Sequence, residues 1–217
     1  DISMDQQNSL VSIHENYKFN TDKQGNRHSY LEVYDTLFEK FRDSEISILE
    51  IGVLAGDSLK LWSVYFPKAK IYGVDTFGRI TFDDVKDNIA GFDERIELYQ
   101  VDSVSGTGQF FNEIGDVKFS IILDDGTHTS DAQIKTYNNF KIMLDNGGIY
   151  IIEDIRAWCK KHNHPNCKID KSCKDDTHLY EIQEKLPEFK IIDMNEGFPV
   201  PDNILGVFEK INWQEIL

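Results

Sequence analysis

"ILEIGVLAGDSLKLWSVYFPKAKIYGVD", residues 48–75, decides the architecture. It completes "ISILEIG" (46–52), an apolar, β-branched run of strand length that reads as a buried strand. "DSLKLWSVYF" (57–66) then places Leu59, Trp62 and Phe66 at helical spacing, and Pro67 stops the helix. "KIYGVD" (70–75) is a second strand. Strand, helix and strand in so short a span mean two parallel strands joined by a crossover helix.

The alternation continues outward. "RIELYQVD" (95–102), "VKFSIILDD" (117–125) and "GGIYIIED" (147–154) read as the third, fourth and fifth strands. Ile134, Tyr137, Phe140 and Leu144 define one face of a helix between the last two. The tail adds a helix near 177–186 and two more strands, "FKIIDM" (189–194) and "ILGVFEK" (204–210). Ahead of the sheet, "YLEVYDTLFEKF" (30–41) is an amphipathic helix expected to cover one edge. The fold class expected is α/β: a doubly wound, mostly parallel seven-stranded sheet with an N-terminal covering helix. No internal repeat, low-complexity block or linker divides the chain, so it reads as one domain. Within it, 1–45 is a cap segment, 46–154 a cofactor-binding core, 155–178 an acceptor lid and 179–217 the C-terminal strands.

Bulk composition narrows the partners. A chain of 217 residues that is 40% hydrophobic buries a full core without disulfides. Its 38 acidic and 23 basic residues give a net charge of −15, a field that repels nucleic acid and anionic bilayers. No apolar run is long enough to span a membrane. "DISMDQQNSL" at the start lacks a signal-peptide pattern and an initiator methionine, so a domain of a longer chain is expected. Three cysteines cannot all pair within the chain, which suits a reducing, cytoplasmic compartment.

Every one of the first five strands closes on an acid: Glu50, Asp75, Asp102, Asp124-Asp125 and Glu153-Asp154. Ligands of open parallel sheets bind outside the carboxyl ends of the strands, so these acids should converge on one cleft. Gly52 and Gly56, between a strand and a helix, permit close backbone approach by a ligand. Leu54 stands where a dinucleotide fingerprint needs its second glycine, and Glu50 suits a cationic ligand better than a pyrophosphate. Asp75 is placed to accept both ribose hydroxyls of a nucleoside, and Asp102 to accept from an adenine amine or sit beside it. This strand-end E-x-G-x-x-x-G, with an acid on the second strand, resembles the class I S-adenosylmethionine-dependent methyltransferases. The plain alternative is a glycine turn with solvated acids.

"IILDDGTHTS" (121–130) and the Glu153-Asp154 pair carry the chemistry. Asp125, Glu153 and Asp154 repel one another unless a cation sits between them, and a hard divalent ion, Mg2+ or Mn2+, is the economical answer. Such an ion keeps positions open for a vicinal diol, and His128 is placed to take a hydroxyl proton. Solvated acids, with a turn histidine bonded to Asp125, are the alternative.

Four blocks, "FNTDKQGNRHSYLEVYDTLFEKF", "ILEIGVLAGDSLKLWSVYFPKAKIYGVD", "IILDDGTH" and "GGIYIIEDI", look like the metal-dependent sugar O-methyltransferases of macrolide tailoring, the mycinamicin type. The resemblance covers residues 17–156. It implies that Asp125, Glu153 and Asp154 bind Mg2+, and that His128 is the general base. It also implies that Glu50, Gly52, Asp75 and Asp102 take the cofactor positions, with Asp124 beside the cofactor. The segment around Thr21, Asp22, Lys23, His28 and Tyr30 resembles the one that closes over the cofactor. There Lys23 or Thr21 can hold its carboxylate, and Thr21 or Asp22 can equally cap a helix. The separate N-terminal domain of the macrolide enzymes has no counterpart in these residues, so nothing about oligomeric assembly is implied. The stretch after Asp154 differs as well, so their acceptor is not inherited.

"CKKHNHPNCKIDKSCKDDTH" (159–178) holds Cys159, His162, His164, Cys167, Cys173 and His178. A structural zinc site, a Cys167–Cys173 disulfide and a polar lid with reduced thiols all fit it. Tyr150, Arg156 and Trp158 are candidates for the acceptor surface. The function expected is S-adenosylmethionine- and Mg2+-dependent O-methylation of a sugar hydroxyl on a glycan or glycosylated metabolite. A catechol-type or other small diol is the alternative acceptor, and a non-catalytic S-adenosylmethionine-binding interaction module the alternative class.

Overall fold

The computed structural model describes residues 8–157, 178–196 and 201–211. Seven strands form one sheet: β1 (Ser47–Ile51), β2 (Lys70–Asp75), β3 (Ile96–Gln100), β4 (Phe119–Asp124), β5 (Leu144–Ile152), β6 (Lys190–Asp193) and β7 (Ile204–Glu209). Their spatial order is β3-β2-β1-β4-β5-β7-β6. The pairings β1–β2, β1–β4, β2–β3 and β4–β5 are parallel, whereas β7 runs antiparallel to both β5 and β6. The expected doubly wound, mostly parallel sheet is therefore the fold observed.

Strand faces follow from the two-residue side-chain period. Ile48, Ile121, Leu123, Ile149 and Ile151 point into one core layer, against Tyr34, Phe38 and Trp62. Leu49, Ile122, Tyr150 and Ile152 point into the other, against Tyr137, Phe140 and Phe189. The described helices are α1 (Leu10–Tyr17), α2 (Tyr30–Phe38), α3 (Asp57–Tyr65), α4 (Phe82–Ile89), α5 (Gly108–Ile114), α6 (Ser130–Phe140) and α7 (His178–Lys185). Helix α2 presents Tyr30, Leu31, Tyr34 and Phe38 inward, and Tyr34 and Phe38 pack edge-on against Trp62 of α3.

Two expectations need correction. Leu144 does not continue a helix: α6 ends at Phe140, and Leu144 opens β5 in register with Phe119. Tyr150 cannot face an acceptor, because it is wholly buried between Tyr137 and Phe189, with ring centroids at 5.0 and 6.0 Å.

The order places the topological switch at the seam between β1 and β4, since the chain winds outward in opposite directions from those two strands. Backbone bonds continue across it beyond the strand ends: Gly52 N donates to the Val74 carbonyl and Asp125 N to the Ile51 carbonyl, both at 2.8 Å. The acid-bearing ends of β1, β2 and β4 are thus fixed side by side.

Candidate active site

A cleft of about 330 Å³ opens above that seam, lined among others by Gly52, Leu54, Asp75, Asp102, Asp125 and His128. Gly52 has φ 86°, and a Cβ built on it would lie 2.2 Å from the Asp125 carbonyl oxygen. No other residue type fits there, so the β1 turn can lie flat against the Asp125 loop. Gly56, also expected at the cofactor, begins α3 with φ 88°, and its missing Cβ makes room for Ile89 of α4. Asp75 lines the cleft and braces it, accepting from Val53 N at 2.9 Å and Phe77 N at 2.8 Å. Asp102 reaches the cleft while accepting from Ser105 Oγ at 2.6 Å and Val104 N at 2.9 Å, which holds its carboxyl below the usual range.

Two of the predicted cofactor acids lie beneath the cleft. Glu50 is fully buried and accepts from Ser58 Oγ at 2.8 Å and Trp62 Nε1 at 2.9 Å. Asp124 is only 1% exposed; one oxygen accepts from Gly126 N, and the other has no hydrogen-bond partner among the described residues. Burial, offset by the Gly126 bond and reinforced by Asp125, pushes the Asp124 carboxyl up to about 8.

The predicted metal trio divides. Asp125, His128 and Asp154 present ligand atoms within 4.8 Å of one another. His128 Nε2 lies 3.5 Å from an Asp154 oxygen and 3.9 Å from an Asp125 oxygen. Glu153 adjoins them: one of its oxygens accepts from Tyr34 at 2.5 Å, and the other shares the Lys23 ammonium with Asp125, at 2.7 Å. Lys23 was expected at the cofactor's carboxylate. Its ammonium is instead buried, paired with Asp125 and Glu153 at 2.7 Å each and with Glu50 at 3.2 Å. Burial opposes that charge, but the three carboxylates outweigh it and hold the lysine pKa well above its usual range. Burial raises Glu153, Lys23 pulls it back, and Asp125, Asp154 and Glu50 push it up again. Acids outnumber the lysine, which leaves the cluster short of positive charge.

Thr21 Oγ1 accepts from Lys23 N at 3.4 Å, so Thr21 shapes a turn; the next described helix starts only at Tyr30, and neither Thr21 nor Asp22 caps one. His28 is buried and stacked on Tyr30, with Nε2 3.4 Å from Asp154 and 3.5 Å from Asp202. Burial alone would neutralise it, but Asp202, Asp154 and Asp22 prevail and raise its pKa. Tyr30's hydroxyl sits 2.8 Å from both an Asp154 oxygen and the Asp202 carbonyl. The sequence reading missed Tyr34 and Asp202. Tyr30, Tyr34 and Phe38 at four-residue spacing on one helix face were a visible signal, whereas nothing local marks Asp202.

His178, a zinc candidate, has both ring nitrogens engaged: Nδ1 accepts from Arg156 N at 3.3 Å, and Nε2 lies 2.6 Å from Gln133 Oε1. Burial, aided by Arg156 and His128, lowers its pKa to about 4, so it is neutral and structural. Trp158, Cys159, His162, His164, Cys167 and Cys173, most of the expected lid and of the cysteine and histidine cluster, lie outside the described residues.

Comparison with known proteins sets this geometry in context. MycE methyltransferase of mycinamycin biosynthesis, in complex with Mg, SAH and mycinamycin VI, superposes with a TM-score of 0.64, covering 94% of this chain and 55% of that one at 23% identity. The fold is that of a class I methyltransferase. Sequence relatives of this methyltransferase-fold chain include an O-methyltransferase of Streptomyces olivaceus, the 8-demethyl-8-(2-methoxy-alpha-L-rhamnosyl)-tetracenomycin-C 3'-O-methyltransferase. It is 29% identical over 74% of this chain and 43% of that protein. The L-olivosyl-oleandolide 3-O-methyltransferase of Streptomyces antibioticus is 32% identical over 63% of this chain and 35% of its own length. The methyltransferase-fold chain thus spans less than half of the curated relatives it matches. No family model matches it.

Proposed function

We propose that this chain is an S-adenosylmethionine- and Mg2+-dependent O-methyltransferase acting on a sugar hydroxyl of a glycosylated small molecule, in the cytoplasm. One observation carries the reading: Asp125 and His128 line the same cleft as Gly52, Asp75 and Asp102, and a ligand atom of the buried Asp154 lies within 4.8 Å of both. The relatives named for methylating sugar hydroxyls supply the acceptor class. The net charge of −15 disfavours a nucleic-acid acceptor, and among the described residues no helix is long and apolar enough to cross a membrane.

Both cofactors fit the residues present. The strand-end acids suit a cationic nucleoside, with Asp75 and Asp102 holding ribose and adenine and Thr21 near the carboxylate end. Glu50 and Asp124 support this floor from below. The excess of carboxylates around Lys23 suits a hard divalent cation, held by Asp125 and Asp154. S-adenosylmethionine supplies the methyl group, and Mg2+ or Mn2+ lowers the pKa of an acceptor hydroxyl. His128 takes that hydroxyl's proton at Nε2, and Asp125 and Asp154 then stabilise the imidazolium. Arg156, exposed beyond β5, is the candidate we propose for the acceptor surface among the described residues.

The deciding assay follows label transfer from S-adenosylmethionine to a panel of deoxysugar glycosides. Transfer is expected with Mg2+ or Mn2+, and loss to background in EDTA; full activity in chelator would remove the metal from the reaction. Calorimetry with Asp75→Ala is expected to show S-adenosylmethionine bound about ten-fold more weakly, the scale of a lost hydrogen bond to a charged group. Unchanged affinity would move the ribose elsewhere.

A further inference from the structure

Past Ile152, the last residue of β5, the chain turns through Asp154 at φ 55°. Two backbone groups of this turn find partners in side chains of the helical layer. Gln133 of α6 donates from Nε2 to the Glu153 carbonyl at 2.9 Å. The Arg156 N–H donates at 3.3 Å to Nδ1 of His178, the first residue of α7. The two side chains meet in between, with His178 Nε2 2.6 Å from Gln133 Oε1, and both are buried. The direction of each bond is dictated from the ends. A carbonyl only accepts, so the Gln133 amide nitrogen faces Glu153 and its oxygen faces the imidazole. That oxygen also only accepts, so His178 carries its proton on Nε2 and leaves Nδ1 bare for Arg156. The result is a chain of neutral hydrogen bonds that clamps the Glu153–Arg156 backbone at both ends.

We infer that Gln133 and His178 act together as positioning residues, a relay that fixes the Glu153-Asp154 turn so that its carboxylates stay beside Asp125, where the cation would be shared. The inference rests on the metal-assisted reading above and deepens it, by naming what aims the acids. The Glu153 carbonyl belongs to the planar peptide unit that leads into Asp154, so holding it fixes the backbone from which both carboxylates depart. A non-glycine residue keeps a left-handed conformation where its surroundings over-determine it. Tyr30 supplies one constraint from the layer of α2, receiving the Asp154 N–H at 3.3 Å, and the relay supplies the other from the layer of α6. Asn139, further along α6, grips a different wall of the cleft. Its Nδ2 donates to the Ser103 and Val104 carbonyls at 2.8 and 3.0 Å. One helix thus holds the β5 turn and the loop after β3 through separate side chains.

The test compares Mn2+ affinities by calorimetry, with folding checked by thermal melting. Gln133→Leu and His178→Leu keep apolar bulk and break the relay. Each is expected to bind Mn2+ about 10–100-fold more weakly, the usual effect of losing a partner outside the coordination shell. The double variant is expected to lose no more than about three-fold beyond either single one, because the two residues act as a unit. His178→Gln offers an acceptor and a donor on one amide and is expected to stay within about three-fold of the wild type. Asn139→Leu, which disturbs the same helix elsewhere, is expected to do the same within about three-fold. In the wild type without metal, nitrogen NMR of the imidazole is expected to show His178 neutral with its proton on Nε2, a measurement that stands even if a leucine variant does not fold. Unchanged Mn2+ binding in the folded leucine variants overturns the inference, as do losses that multiply in the double variant. So does a loss in His178→Gln or Asn139→Leu equal to that in His178→Leu, or a proton found on Nδ1. Absence of Mn2+ binding in the wild type overturns the metal-assisted reading as well, which distinguishes the two failures.

Discussion

His128→Ala is expected to lower turnover by about 10²–10⁴-fold, the usual contribution of a positioned general base, while leaving S-adenosylmethionine affinity nearly unchanged. The geometry behind this is specific. Nε2 lies 3.5 Å from Asp154 and 3.9 Å from Asp125, and the side chain is 42% exposed, so an acceptor can reach it. A magnesium ion prefers the carboxylate oxygens to an imidazole nitrogen, which leaves Nε2 free to take a proton from a neighbouring hydroxyl. Removing the imidazole takes away that acceptor without disturbing Gly52 or Asp75. Mn2+ titration separates the base from the other role its position allows. A base-deficient variant retains the ion with little change, whereas a variant that has lost a ligand loses affinity in step with turnover. A rate near that of the wild type would assign the base elsewhere.

The sheet was legible because its signal is periodic. Ile48, Ile121 and Ile149 alternate with Leu49, Ile122 and Tyr150 along strands covered on both faces, and each strand ends on an acid. Asp75, Asp102 and Asp125 were singled out by that rule and line the cleft, since the carboxyl end of a strand fixes where its last side chains lie, whereas His128 was singled out by its place three residues beyond Asp125. What the rule cannot supply is depth. Glu50, Asp124 and Glu153 also end strands, yet they are buried and do not line the cleft. Asp124 and Asp125 are adjacent; one is buried beneath the turn and the other faces the ligand space. Lys23 escaped for a different reason. It sits more than a hundred residues from Asp125 and Glu153, and no local pattern says that a lysine in a polar segment will be wholly buried. Leu144 was misassigned because an apolar residue at the right spacing extends a helical stripe on paper, while α6 had already ended at Phe140.

Replacing Asp154 by asparagine and by alanine should separate its charge from its backbone. Asp154 has φ 55°, in the left-handed region that asparagine and aspartate tolerate and alanine resists. Tyr30 stabilises this turn, receiving a bond from Asp154 N at 3.3 Å while its hydroxyl lies 2.8 Å from the carboxylate. The amide introduced by Asp154→Asn keeps an oxygen for Tyr30 and the tolerance for positive φ, so this variant is expected to melt close to the wild type. It nevertheless loses the charge that would hold the cation. Outer-sphere changes at metal sites cost about 10–100-fold in affinity, so loss of this inner carboxylate should exceed about 100-fold and carry turnover with it. Asp154→Ala should show the same metal defect and, in addition, lower stability by about 1–2 kcal/mol from left-handed strain. Chemical denaturation compares the two variants, and Mn2+ titration reads the ion. If Asp154→Asn bound Mn2+ as the wild type does, the cation would not lie between Asp125 and Asp154. If both variants melted alike, the turn would owe its shape to the surrounding sheet and not to the residue that occupies it.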